Sequence, residues 1–265
     1  MTPRSTRSAL AALAVAGLLL TGGCLDPFGP TRPPSDERAL NAVDRSRDAL
    51  DDVSSYRTTV DGRLTATAGD DNDTADVAGS VAVDVSARRM NATSRVRGRL
   101  TGSTVRRTFV TGDTVYTECS RMGWSRRNRS AETPWVSYTP AGQQLALLER
   151  SNVYWRGVER VGDTEAAVVV AHPTAREFES VPGGRRTATA VFGGATVDNA
   201  TVTVWLDTDS WRPVKAERTV TVSGRGTMAA ASVTFRFTDY DDPVAVTRPS
   251  FDEDAVWQLG CPGDS

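Results

Sequence analysis

The sequence predicts an α+β fold, an antiparallel sheet of about ten strands with two or three helices kept to one of its sides. One stretch of helical period stands near the N-terminus, and most of the remaining chain alternates apolar and polar residues over short runs. Gly-, Asn- and Asp-containing turn signals recur between those runs at hairpin spacing. Strands of this kind pair with their sequence neighbours, and the apolar face of the resulting sheet needs a cover, which the helices supply.

The chain opens with a leader rather than with the fold. Arg4 and Arg7 are the only charges before an unbroken apolar stretch from Ala9 to Leu20. Its 12 residues are too few for a permanent span, which needs roughly 20. Leu20-Thr21-Gly22-Gly23-Cys24 follows, small residues running into a cysteine, and this resembles the lipobox of prokaryotic lipoproteins, with Thr21 where a Leu is usual. The resemblance implies cleavage before Cys24 and a lipid on that cysteine, holding the chain at the outer face of a cytoplasmic membrane. Residues 1–23 are then a signal peptide. Residues 24–34, with Pro27, Pro30, Pro33 and Pro34, form an extended tether, and residues 35–265 form a single domain.

Ser35 is the expected N-cap of the first helix, with Asp36 and Glu37 in the first turn where the helix dipole favours acid. That helix runs to about Val53, with Ala39, Leu40, Val43, Leu50 and Val53 on its apolar stripe. Tyr56, Thr58, Val60 and Leu64 then share one face of a first strand, and Val77, Val81, Val83 and Val85 one face of a second, with a turn over Gly69–Asp73 between them. Further strands are expected over Met90–Leu100, Thr104–Val110 and Thr114–Cys119. A helix over Pro140–Arg150 has its proline in the first turn. After it come strands over Val158–Val161 and Ala166–Ala171, a short helix or turn over Pro173–Val181, and strands over Arg186–Phe192, Thr196–Leu206, Val214–Val222 and Ala231–Thr238. The apolar faces of the last three are Val202, Val204 and Leu206, then Val214, Val220 and Val222, then Val233, Phe235 and Phe237.

Composition excludes several classes. Removing residues 1–23 takes away two arginines and no acid, so the mature chain is mildly acidic with no basic block, unlike a nucleic-acid binder. Three cysteines are present. With a lipid on Cys24, Cys119 and Cys261 remain, either as two thiols or, as an exported compartment favours, as a disulfide. His172 is the sole histidine and no Gly-x-Ser-x-Gly elbow exists, so neither a catalytic triad nor a zinc site is supplied, and no cofactor or enzymatic activity is expected. Asp70, Asp71 and Asp73 lack the spacing of a calcium loop, whose twelfth position would be Ala82. Asn72, Asn91, Asn128 and Asn199 each begin an Asn-x-Ser/Thr triplet, the acceptor pattern for glycans in an exported chain.

The order of features has a family likeness. Val53-Ser54-Ser55-Tyr56 ends the first helix, and Trp155-Arg156-Gly157-Val158-Glu159-Arg160-Val161-Gly162-Asp163 follows a run of hairpins. Val204-Trp205-Leu206-Asp207, Trp211-Arg212-Pro213-Val214-Lys215 and Phe237-Thr238-Asp239-Tyr240-Asp241 close the chain together with Pro243-Val244 and Pro249. Taken together these resemble LolA-type carriers and LppX/LprG-type lipoproteins over roughly Asp36 to Pro249, a layout also shown by extracytoplasmic lipoproteins of halophilic archaea. The resemblance implies a strongly curved, half-open barrel with helices over its concave side and an apolar cavity for acyl chains, in a monomer whose partners are the membrane and a lipid. The expected lining is Val60, Val83, Phe109, Leu145, Leu148, Val204, Phe235 and Phe237. The rival expectation is a surface interaction or structural lipoprotein in which those residues fill a core. The aromatics Trp124, Trp135, Tyr138, Tyr154 and Trp155 are expected either at the rim of a cavity or under a long loop.

Overall fold

Among the described residues the alternating segments build one antiparallel sheet of eleven strands. In chain order they are β1 (Ser55–Ala68), β2 (Asp71–Asp84), β3 (Arg89–Gly98), β4 (Gly102–Thr111), β5 (Thr114–Glu118), β6 (Trp124–Asn128), β7 (Val153–Val161), β8 (Thr164–Ala171), β9 (Thr196–Asp207), β10 (Pro213–Gly224) and β11 (Thr227–Thr238). The spatial order is β6-β5-β4-β3-β2-β1-β11-β10-β9-β8-β7. Two meanders, β1–β6 and β7–β11, are therefore joined by the pairing of β1 with β11, in which Val60 lies opposite Phe235. The sheet does not close: β6 and β7 are its two edges. The computed structural model describes residues 32–69, 71–99, 102–119, 123–129, 133–181, 196–224, 226–258 and 261. The chain divides into units 1–33 and 34–265, and the sheet lies in the second. Cys24, the expected signal peptide and the strand expected over Arg186–Phe192 lie outside the described residues.

Among the described residues three α-helices accompany the sheet, α1 (Glu37–Asp51), α2 (Pro140–Glu149) and α3 (Ala175–Ser180). In α1 the buried residues Ala39, Ala42, Val43, Ser46 and Leu50 recur every three or four positions, while Leu40, expected on that stripe, is 45 % exposed. Nearly all of α2 is buried, from Pro140 to Gly142 and from Gln144 to Leu148. Thr139 caps it by accepting from the Gly142 N–H at 3.3 Å. A capping box between Thr174 and Glu177 starts α3. The helices pack chiefly on β7, β8 and β9.

Both sheet edges are covered. Asp36, not Ser35, is the N-cap of α1, and neither side chain turns back onto the helix. Ser35 Oγ instead accepts from the Val153 N–H at 3.1 Å, and an Asp36 carboxylate oxygen accepts from the Trp155 N–H at 2.8 Å. The Asp36 N–H in turn donates to the Val153 carbonyl at 2.9 Å. Competition decided this outcome, because an unpaired edge amide needs a partner as much as a helix terminus does. At the other edge, β6 exchanges bonds with the C-terminal tail: Arg126 N–H to Trp257 O at 2.7 Å and Trp257 N–H to Trp124 O at 2.9 Å. The Cys119–Cys261 disulfide ties the same region, with Cα atoms 5.3 Å apart.

Alternation sends side chains to two faces with different covers. On the helix side lies the main core, which includes Tyr56, Val83, Met90, Val110, Val169, Val202, Val204, Leu206, Phe237 and the leucines of α2. On the opposite side Phe109 and Tyr116 sit under the tail residues Val246 and Val256, with Trp124 and Phe251 against them. A third group, Ala166, Val168, Val170 and Trp205, occupies that opposite side near β8. Two sequence expectations change here. Val214 leaves the face of Val220 and Val222 and joins the third group, because the pairing of β10 with β9 shifts register between Pro213 and Lys215. The turn expected over Gly69–Asp73 is shorter, since β2 starts at Asp71. β6 carries almost no strand signal in its sequence: Trp124-Ser125-Arg126-Arg127-Asn128 has little apolar alternation, and its pairing with β5 and the tail defines it.

Candidate functional site

Among the described residues the helices pack chiefly on β7, β8 and β9, and the same face of the sheet continues across β1, β2 and β11. Register places Val60, Gly62 and Leu64 of β1 beside Gly79 and Val77 of β2 on one flank, and beside Phe235 and Val233 of β11 on the other. Val60, Leu64, Val77, Val233 and Phe235 are all half-buried, while Phe237, one step towards the helices, is buried. The apolar row thus starts inside the core and continues outward along the strands. Two glycines lower its floor. A Cβ on Gly62 would lie 2.7 Å from Ser232 O, and one on Gly79 would lie 2.8 Å from Thr93 O, so neither position accepts a side chain without backbone movement.

The predicted lining residues separate into three sets. Val83, Leu145, Leu148, Val204 and Phe237 are buried in the main core, where their neighbours are other side chains of this chain. Val60 and Phe235 are paired across β1 and β11 and are half-buried, Phe235 packing against the edge of the main core. Phe109 is a correction, since it lies on the opposite face beneath the tail with Tyr116. The reason is parity: Val110, buried in the main core, takes the helix side of β4, and its neighbour must point the other way. The aromatic group also disperses. Trp124 stacks on Phe251 of the tail at 5.2 Å, Trp135 is in the main core, Tyr138 lies under Arg129 at 3.9 Å, and Trp155 lies under Arg38 at 3.8 Å.

Arg218 of β10 is a residue that sequence reading passed over. It points to the helix side between Ala216 and Val220 with 8 % of its surface exposed. Its Nη2 donates to Gln144 Oε1 of α2 at 3.0 Å, and its Nε is buried without a partner. The rings of Phe178 and Phe235 each lie 5.6 Å from the guanidinium carbon. Burial pulls its pKa down to about 10, which leaves it charged at neutral pH. The signal was available: the alternating face Ala216, Val220, Val222 carries one charge in its middle.

Other groups have structural partners. His172 Nδ1 is 3.2 Å from the Thr201 hydroxyl. A separate groove of about 460 Å³ flanks α1 and is lined by Glu37, Arg38, Asn41, Ala42, Arg45, Trp155 and Trp211; it contains none of the predicted lining. Of the four glycan triplets, Asn72, Asn128 and Asn199 are exposed, whereas the Asn91 amide donates to Thr247 O at 2.9 Å.

No known protein family matches the sequence, and no curated protein does. Solved structures are similar in arrangement at low identity. LprF from Mycobacterium bovis is 15 % identical, with 83 % of this chain and 100 % of that one aligned at a TM-score of 0.46. The lipoprotein LppX of Mycobacterium tuberculosis is 17 % identical over 80 % of this chain and 100 % of its own, at 0.45. An outer membrane lipoprotein-sorting protein domain from Vibrio parahaemolyticus is 12 % identical over 78 % of this chain and 95 % of its own, at 0.30.

Proposed function

We propose that this chain is an extracytoplasmic lipoprotein that holds an acyl chain in the open apolar row of its sheet. The observation that carries the reading is the continuation of the core face, beyond the helices, as the half-buried residues Val60, Leu64, Val77, Val233 and Phe235 over the two glycines. Each methylene taken from water into that row contributes about 0.8 kcal/mol, so a chain of ordinary length binds usefully even when only part of it is covered. Among the described residues no helix is long and apolar enough to cross a membrane. In this reading the lipid on Cys24 holds a monomer at the outer face of the cytoplasmic membrane, and the protein binds and releases its cargo without making or breaking bonds.

Native mass spectrometry of protein purified from its own host tests this directly. A lipid adduct is expected on the unaltered chain, and Val60→Asp, which puts a carboxylate in the middle of the row, removes it. A wild-type chain that flies bare under conditions preserving non-covalent complexes overturns the reading.

A further inference from the structure

Arg218 is placed where a charge is expensive. Val202 of β9 and Val233 of β11 stand beside it in register, and the Phe178 and Phe235 rings flank the guanidinium. Among the described residues no carboxylate forms an ion pair with it. Gln144, its hydrogen-bond partner, donates Nε2 to Pro140 O at 3.3 Å, which orients Oε1 toward the arginine. The guanidinium is held on one edge by a neutral amide, and its Nε remains buried and unpartnered. A buried charge without a counter-charge destabilises a fold strongly unless a partner arrives. The planar N–H groups of arginine match two oxygens of a carboxylate or phosphate. Phe235 connects this group to the open row, since one side of its ring meets Arg218 while the residue itself is half-buried opposite Val60.

We propose that Arg218 receives the anionic oxygens of an amphiphile, a carboxylate or phosphate head whose acyl tail lies along the Val60–Phe235 row. This deepens the acyl-chain reading and rests on it. The head enters toward α2 and α3 while the tail runs outward along β1 and β11. Removal of the head charge then weakens binding without changing what the row does.

Calorimetric titration of the folded chain with decanoic acid, decyl phosphate, decan-1-ol and inorganic phosphate tests the assignment. Both anionic decyl compounds are expected to bind at least tenfold more tightly than the alcohol, and Arg218→Met is expected to bind all three as weakly as the alcohol. The better of the two anionic probes shows whether the head is a carboxylate or a phosphate. Equal affinity for the three in the unaltered protein, or a preference that survives in Arg218→Met, overturns the role of Arg218 and leaves the acyl reading standing. If no decyl compound binds, the acyl reading itself fails. Inorganic phosphate binding as tightly as decyl phosphate overturns the placement of the tail. Arg218→Lys keeps the charge but not the fork, so it should weaken the anionic ligands and leave decan-1-ol unchanged; equal losses for all three would indicate a folding role and sink the proposal.

Discussion

Asp241 sits just past β11 with φ of 63°, and its carboxylate fastens the C-terminal strand to the end of α1. It accepts from the Ser54 N–H at 2.8 Å and the Ser54 hydroxyl at 3.0 Å, and it pairs with Arg212 at 2.7 Å. The Ser54 backbone bond, helped by the Ser54 hydroxyl and Arg212, holds its pKa below the ordinary value against a smaller opposing effect of burial. A carboxyl depressed in the folded state stabilises the protein fully above its unfolded pKa, about 4, and that contribution fades as the pH falls through the folded value. Asp241→Asn should therefore lower stability at neutral pH and flatten the acid limb of the stability curve. The side chain is 39 % exposed, and solvent screening keeps the loss to about 1 kcal/mol or less. Urea unfolding across pH 2–7 measures both effects. At the same scale, the Cys119–Cys261 bond spans 142 residues of sequence. Replacing both cysteines by serine should cost about 2–5 kcal/mol, read as a fall in the urea midpoint that reductant reproduces in the unaltered chain.

α2 shows how an element can be fixed by one small residue. Gly142 lies in its first turn, where a Cβ would come within 2.0 Å of the Val136 carbonyl oxygen and 2.7 Å of its carbon. The preceding 3-10 turn (Trp135–Tyr138) folds back so closely that glycine alone fits. Alanine is ordinarily the better helix former by about 1 kcal/mol. Here Gly142→Ala should instead destabilise by about 1–3 kcal/mol, because either the turn or the helix must move, and Trp135 and Leu145 of the core move with it. Circular dichroism melts of the variant check the sign. The Tyr56 hydroxyl, buried under the same end of α2, accepts from the Ala141 N–H at 3.2 Å, and burial drives its pKa upward. Helix α2 is thereby locked to β1, the strand that carries the open row.

At the level of the whole molecule the two meanders meet at β1 and β11, so the row proposed for the acyl chain runs along the seam between halves that are distant in sequence. In the lipid-anchor reading the location of the molecule depends on Cys24, outside the sheet domain. Cys24→Ser should release the protein from the membrane fraction into the soluble extracytoplasmic fraction, with the unfolding midpoint of the 34–265 unit unchanged. Fractionation of cells expressing the two forms checks it, and equal membrane retention would sink the lipid-anchor reading.

The sequence by itself determined the sheet, its antiparallel character and the helices at α1 and α2, because periodicity and turn residues are local signals. It left Cys119 and Cys261 as two thiols or one bond, and the tertiary structure joined them. The sequence also placed Val60, Phe235 and Phe237 on inward faces, because alternation is carried by neighbouring residues. The tertiary structure alone decided which inward residues are fully buried and which are half-buried. Val83 and Leu145 are covered by packing from elements far away in sequence, whereas Val60 and Phe235 stand beyond the helices. Phe109 and Val214 went to the opposite face through strand parity and a register shift. Ser35 and Asp36 were drawn from the helix to the edge of β7. Alternation put Arg218 on the inward face of Ala216, Val220 and Val222, but its Gln144 partner and the flanking rings of Phe178 and Phe235 were decided only by the tertiary structure.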